Sequence, residues 1–165
     1  MDRLRLQSMD GFTLIELALV IIIVSIIAVV ALLQLSPAGN INLGAQAKQL
    51  ASDIRYTQSL SMNKDQRYYL SITTASNTYQ ILNASGTAVI LPMGNTTVTL
   101  NSGIAFGTLT NLPNNLIAFD GKGAPYTSTG AGGTALSSTA TIPLTSGGVT
   151  RTVSITPATG LVSVS

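Results

Sequence analysis

Gly11-Phe12-Thr13-Leu14-Ile15-Glu16 opens an apolar stretch that runs to Leu35, and Glu16 is the only charge within it. Phe12 to Leu33 is 22 residues, which as a helix at about 1.5 Å per residue measures roughly 33 Å. A bilayer core is about 30 Å thick. Leu, Ile and Val fill most of the stretch, Ser25 can bond back to its own helix, and the first proline is Pro37. The sequence therefore predicts a transmembrane helix over 12–35. Arg3 and Arg5 precede it and Lys48 is the first positive charge after it, so the N-terminus is expected in the cytoplasm and everything beyond about Gln34 outside. A carboxylate inside such a span is costly and calls for a partner, which makes Glu16 the leading functional residue. A secretory signal would carry a small-residue cleavage pattern after its apolar core, and Gln34 to Gly39 matches that poorly.

The rest of the composition excludes more than it offers. The chain has no His and no Cys, so neither a histidine-based triad, a zinc site nor a disulfide framework can be built. Beyond residue 11 the acids are Glu16, Asp53, Asp65 and Asp120, too scattered for a spaced catalytic pair. No enzyme activity, metal or cofactor is expected. Calcium needs several oxygen ligands, and Asp120 is the one carboxylate in the C-terminal region. The formal net charge is +2, and after residue 67 the only cations are Lys122 and Arg151. That argues against a nucleic-acid partner, because phosphate neutralisation requires a positive cluster.

Ser36-Pro37-Ala38-Gly39-Asn40 interrupts the helical signal, and a break is expected near 36–40. The helical period returns from about Asn42, with Leu43, Ala47, Leu50, Ile54, Thr57 or Gln58, and Leu60 or Ser61 on one face. Gln46, Lys48, Gln49, Asp53, Arg55 and Lys64 lie on the other and read as a solvated face. Past Lys64 the period changes to two. Strands are expected at 68–72, 78–82, 87–91, 96–100, 104–106, 116–119, 139–144, 150–155 and 161–164, separated by Asn, Ser and Gly turns. Tyr68, Tyr69, Tyr79, Phe106 and Phe119 are expected to anchor the core or its rim. Ala124 to Ser138, rich in Gly, Thr, Ser and Ala, reads as a long exposed loop between two strands and the first place to look for partner surface, with a disordered spacer as the equal alternative.

At Gly11 to Glu16, behind a short polar leader carrying Arg3 and Arg5, the chain resembles the type IV prepilin family, which comprises pilins of type IV pili and pseudopilins of type II secretion. The resemblance implies an α+β, type IV pilin-like fold: a long N-terminal helix, transmembrane then amphipathic, packed on an antiparallel β-sheet domain. It implies a leader peptide at 1–11, a transmembrane and assembly helix at 12–35, an amphipathic second half at 36–66, and a β-rich periplasmic domain at 67–165. By the same resemblance a prepilin peptidase cuts between Gly11 and Phe12 and methylates Phe12. Glu16 then pairs with the amino group of Phe12, in a neighbouring subunit or its own, since each charge is tolerable in hydrocarbon only beside the other.

Ala51 to Leu60, Phe119 to Pro125, Arg151 to Ile155 and Thr159 to Val162 look like the GspH/FimT branch of minor pilins and pseudopilins. The lack of Cys agrees, because many major pilins staple their C-terminal region with a disulfide. The implied role is a minor pilin or pseudopilin of a type II secretion pseudopilus or type IV pilus, in a priming or tip complex. Its implied partners are the prepilin peptidase/methyltransferase, other pilin or pseudopilin subunits, and the inner membrane with its assembly platform. Its implied location is the bacterial inner membrane, single-pass, with the C-terminal domain periplasmic. The alternative is a membrane-anchored extracytoplasmic binding module, such as a FimT-like DNA-uptake pilin.

Overall fold

The computed structural model describes residues 13–34, 38–130 and 132–165. The chain divides into two units, Met1–Pro37 and Ala38–Ser165. In the first, α1 runs Leu14–Gln34. Thr13 starts it: its carbonyl accepts the N–H groups of Glu16 and Leu17, each at 3.1 Å, as expected of a capping residue. Ser25 Oγ donates to Ile21 O at 2.7 Å, the internal bond expected from sequence. The side chains described here, Leu14 to Ala28, are all exposed. Among the described residues no helix is long and apolar enough to cross a membrane.

In the second unit, α2 runs Ala38–Lys64. Of the break expected near 36–40, Ala38, Gly39 and Asn40 are already helical, and 35–37 lie outside the described residues. A glycine in a helix costs only about 1 kcal/mol, which the packing of the α2 apolar stripe offsets. Leu43, Ala47, Leu50, Ala51 and Ile54 are completely buried, and so are Thr57 and Ser61. The two hydroxyls lose no hydrogen bonds there: Thr57 donates to Asp53 O at 2.8 Å and Ser61 to Thr57 O at 3.1 Å.

The sheet region forms two antiparallel sheets. The first has the order β3-β2-β1-β5-β6, built from β1 (Tyr68–Thr73), β2 (Thr78–Asn83), β3 (Thr97–Thr99), β5 (Leu116–Phe119) and β6 (Pro125–Tyr126). The second has the order β4-β7-β8-β9, built from β4 (Ala105–Phe106), β7 (Ala140–Ser146), β8 (Val149–Ile155) and β9 (Val162–Val164). Helix α2 packs on β1 and β5 of the first sheet and on β7, β8 and β9 of the second. Its buried stripe therefore joins the two sheets through one core that includes Leu70, Ile81, Ile117, Phe119, Ile142, Leu144, Val153 and Ile155. Tyr79, Phe106 and Phe119 are in this core, while Tyr68 and Tyr69 are half-buried at its rim.

Two expected elements differ. Thr87 to Leu91 is no strand; only Ala88 bridges Leu82. Asn83 Oδ1 accepts the N–H groups of Ser85 at 3.0 Å and Thr87 at 2.9 Å, and this local capture competes with ladder pairing. Ala124 to Ser138 is not simply an exposed loop either. It contains β6, and Pro125, Thr127 and Leu136 are buried.

Candidate assembly surfaces

Of the residues singled out from sequence, Gly11 and Phe12 lie outside the described residues. Glu16 stands in the first turn of α1 with its side chain exposed. Around it the aliphatic surface is bare: Leu14 is 87% exposed, Ile15 77% and Leu17 53%. The described residues of this unit contain no Lys or Arg. The carboxylate therefore has no counter-charge of its own unit among them, and the aliphatic face around it is suited to burial against lipid or other helices.

The polar positions of α2 do not form one solvated face. Gln46 is only 8% exposed, and its Oε1 accepts the N–H of Asn101 at 3.3 Å. Asp53 is half-buried, and Tyr79 of β2 donates its hydroxyl hydrogen to Asp53 Oδ2 at 2.6 Å. Burial pushes the Asp53 carboxyl above the ordinary range, by more than the Tyr79 hydrogen bond lowers it. Burial likewise raises the Tyr79 phenol, and the hydrogen bond to Asp53 and its negative charge raise it further. Asp53 lines a groove of about 350 Å³ between α2 and the edge strand β3, with Gln46, Gln49, Met93 and Thr99 around it.

Across α2, Gly44 and Lys48 line a second cleft, of about 320 Å³, with Arg151 of β8 and Val164 of β9. Nearby, Arg55 Nη2 donates to Val162 O at 2.7 Å and ties α2 to β9. At the far end of α2, Gln58 Nε2 donates to Gly123 O at 2.8 Å and to Thr159 O at 3.0 Å. One amide thus holds both turns whose residues carry the branch resemblance. Asp120 organises the first of them, its Oδ1 accepting the N–H groups of Lys122 and Ala124, each at 2.9 Å. The loop beyond β6 is tied down by Arg67, which donates to Gly130 O and stacks 4.1 Å from the Tyr126 ring centre. Sequence reasoning missed the Asp53–Tyr79, Gln58 and Arg67 contacts. The only signal for them was the placement of long polar side chains beside an apolar stripe.

No protein-family model matches the chain, and no curated protein matches it. Solved structures do. The minor pseudopilin EpsH of the Vibrio cholerae type 2 secretion system is similar at 10% identity, with 75% of this chain and 96% of that chain covered and a TM-score of 0.58. The type IV minor pilin FimU of Pseudomonas aeruginosa is similar at 14% identity, with 78% and 92% covered and a TM-score of 0.55. At such identities the likeness is one of fold, and the fold of this chain, a helix packed on antiparallel sheet, is pilin-like.

Proposed function

We propose that the chain is a minor pilin or pseudopilin subunit, a structural protein rather than an enzyme. Prepilin peptidase processes it between Gly11 and Phe12 and methylates Phe12, and it is then assembled into a type II secretion pseudopilus or type IV pilus as part of a priming or tip complex. Before assembly it is held in the inner membrane by the 12–35 helix, with residues beyond 38 in the periplasm. The observation that carries the reading is Glu16: a single carboxylate in the first turn of an apolar helix, with bare aliphatic side chains around it and no cation among the described residues of its unit. The amino group freed at Phe12 supplies the missing charge four positions away, and a filament core supplies the missing cover for Leu14, Ile15 and Leu17. The pilin-like fold of the second unit supports the same reading.

The test is the mass of the N-terminal peptide from cells with and without the prepilin peptidase. A chain starting at methylated Phe12 only when the peptidase is present, and Met1 retained in a Gly11→Val variant, is the expected result. An intact Met1 start in both cells refutes the assignment and leaves a signal-anchored domain.

A further inference from the structure

In an antiparallel ladder the residues of the non-hydrogen-bonded pairs turn their main-chain N–H and C=O groups away from the partner strand, so on an edge strand these groups face outward. The two sheets have edge strands β3, β6, β4 and β9, and at the last three the chain's own groups take an outward position. The Pro125 carbonyl of β6 accepts the N–H of Leu136 at 2.9 Å. The Phe106 N–H of β4 donates to Asn77 Oδ1 at 3.0 Å. The Val162 carbonyl of β9 accepts from Arg55 Nη2 at 2.7 Å. β3 differs. The bond from Leu100 N–H to Asn77 O sets its alternation: with the register Thr78↔Thr99, Tyr79↔Val98 and Gln80↔Thr97, Val98 bonds to β2, and the N–H and C=O groups of Thr97 and Thr99 face outward. Among the described residues these outward groups have no hydrogen-bond partner. Two positions on, the outward N–H of Asn101 reaches Gln46 Oε1 of α2 at 3.3 Å, so the row points into the groove of about 350 Å³ between β3 and α2.

We propose that this groove takes an extended segment of a different protein, added to the sheet beside β3, with a Lys or Arg opposite Val98. The main chain argues for the shape of the occupant: unpaired outward groups along a concave wall are the geometry of strand addition. The side chains argue for its charge. Tyr79 and Val98 are cross-strand neighbours on the face toward α2, Tyr79 bonding to Asp53 and Val98 packing against the core. A side chain opposite Val98 on the added strand continues that row toward Asp53. Tyr79 takes Asp53 Oδ2, Oδ1 is open to a cation, and no Lys or Arg lines the groove. Met93, 74% exposed in the groove wall, offers cover to an apolar side chain two residues from the basic one. The chain's own described cations do not fit as occupant. Lys48, Arg55 and Lys64 are on α2, Lys122 is in a turn, Arg67 is tied to Gly130 O and Tyr126, and Arg151 is in β8, paired on both sides by β7 and β9. A foreign segment fills the edge once and does not propagate from copy to copy, as suits a subunit used singly. The inference uses residues 46–101 alone and stands apart from processing at Gly11.

The probe is the synthetic peptide acetyl-Val-Thr-Arg-Thr-Val-amide, fluorescently tagged and titrated by anisotropy with the full-length protein in an uncharged detergent. It is expected to bind. Replacing its Arg by Glu, or N-methylating its two threonines so that they cannot donate to the Thr97 and Thr99 carbonyls, weakens it about tenfold or more. Asp53→Asn, which keeps an oxygen for Tyr79, abolishes the preference for Arg over Glu. Thr99→Pro removes an outward N–H and no ladder bond and weakens the arginine peptide to a similar degree. In amide exchange followed by NMR, Thr97 and Thr99 exchange fast in the free protein and slow several-fold with the peptide, whereas Val98 is slow in both. No binding, equal binding of the glutamate or N-methylated peptide, an Arg preference that survives Asp53→Asn, or Thr97 and Thr99 left unprotected overturns the proposal. A homodimer that Thr99→Pro dissolves puts a second copy on the edge and overturns the choice of occupant. The subunit reading stands or falls separately, on the N-terminal mass.

Discussion

Tyr79→Phe removes one oxygen, and its cost depends on pH in a direction the structure dictates. The Tyr79 hydroxyl donates to Asp53 at 2.6 Å across the interface between β2 and α2. A hydrogen bond to a charged group contributes about 1.5–3 kcal/mol. The lower end applies, because Asp53 is half-buried and water re-enters from the groove. Near neutral pH the expected loss is therefore about 1.5 kcal/mol, or roughly 5 °C in melting temperature for a domain of this size. The sign of the pH dependence follows from Asp53. Its carboxyl titrates above the 3.8 of a free aspartate because burial outweighs the Tyr79 bond. Its contribution to stability is thus fully present below 3.8 and is lost as pH rises through the folded value. Tyr79 is what limits that loss, by favouring the ionised form. Without its hydroxyl, Asp53 titrates higher still, and the deficit grows with pH. Below pH 3.8 the bond is between neutral groups and its removal costs only about 0.5–1 kcal/mol. Circular-dichroism melts of wild type, Tyr79→Phe, Asp53→Asn and the double variant, across that range, measure the coupling directly. A Tyr79→Phe deficit that is flat with pH, or larger in acid, refutes the reasoning.

Other positions give sharper steric or positional readouts. Gly160 has φ +65°, and a Cβ there would lie 2.7 Å from Gln58 Nε2 and 2.9 Å from Phe119 Cε1; Gly160→Ala should cost about 2–3 kcal/mol in denaturant unfolding. Arg67→Ala frees the Gly130 carbonyl and the Tyr126 face, and limited proteolysis should then cut within 127–136 several-fold faster while the melting temperature moves by about 1 kcal/mol equivalent or less. Leu50→Ala, at a site with no exposure, should cost about 2–5 kcal/mol, measured in the same melts. Glu16→Ala should be made and cleaved as wild type yet recovered poorly in sheared filaments; normal recovery would show that the carboxylate has no part in assembly.

The α2 stripe was legible because a 3.6 period writes its buried face into consecutive turns, and Leu43, Ala47, Leu50 and Ile54 are all completely buried. β1, β2, β5, β7 and β8 were legible for the same reason at period two. The contacts that shape the surfaces were not. Asp53 and Tyr79 are 26 residues apart and Gln58 and Thr159 are 101 apart, and no local pattern encodes such pairings. Alternation at 87–91 looked like a strand because hydropathy cannot register that Asn83 captures the next turn. β6 went unseen inside a Thr, Ser and Gly tract because only Pro125, Tyr126 and Leu136 there have side chains large enough to anchor it. Two sheets rather than one could not be read either, since the order within a sheet depends on pairings between strands far apart in sequence, such as β1 with β5 and β4 with β7.

These long-range contacts also account for how a cysteine-free domain closes its loops. Among the described residues, Arg55 donates to Val162 O, Gln58 to Gly123 O and Thr159 O, Asn111 to Thr139 O and Asn114 to Thr127 O. Each joins a polar side chain to a distant backbone carbonyl. A net worth of about 0.5–1.5 kcal/mol for each hydrogen bond brings the set to the same scale as the roughly 2–4 kcal/mol of one disulfide. The two devices differ in how they fail. A disulfide is lost in a single reduction, whereas these ties fail one at a time, and each substitution exposes one loop without opening its neighbours. Arg67→Ala against Gln58→Ala decides the point: proteolysis confined to 127–136 in the first and to the turns at 120–123 and 157–160 in the second supports independent ties, and cleavage spreading through all three segments in either variant would mean that they act as one cooperative closure.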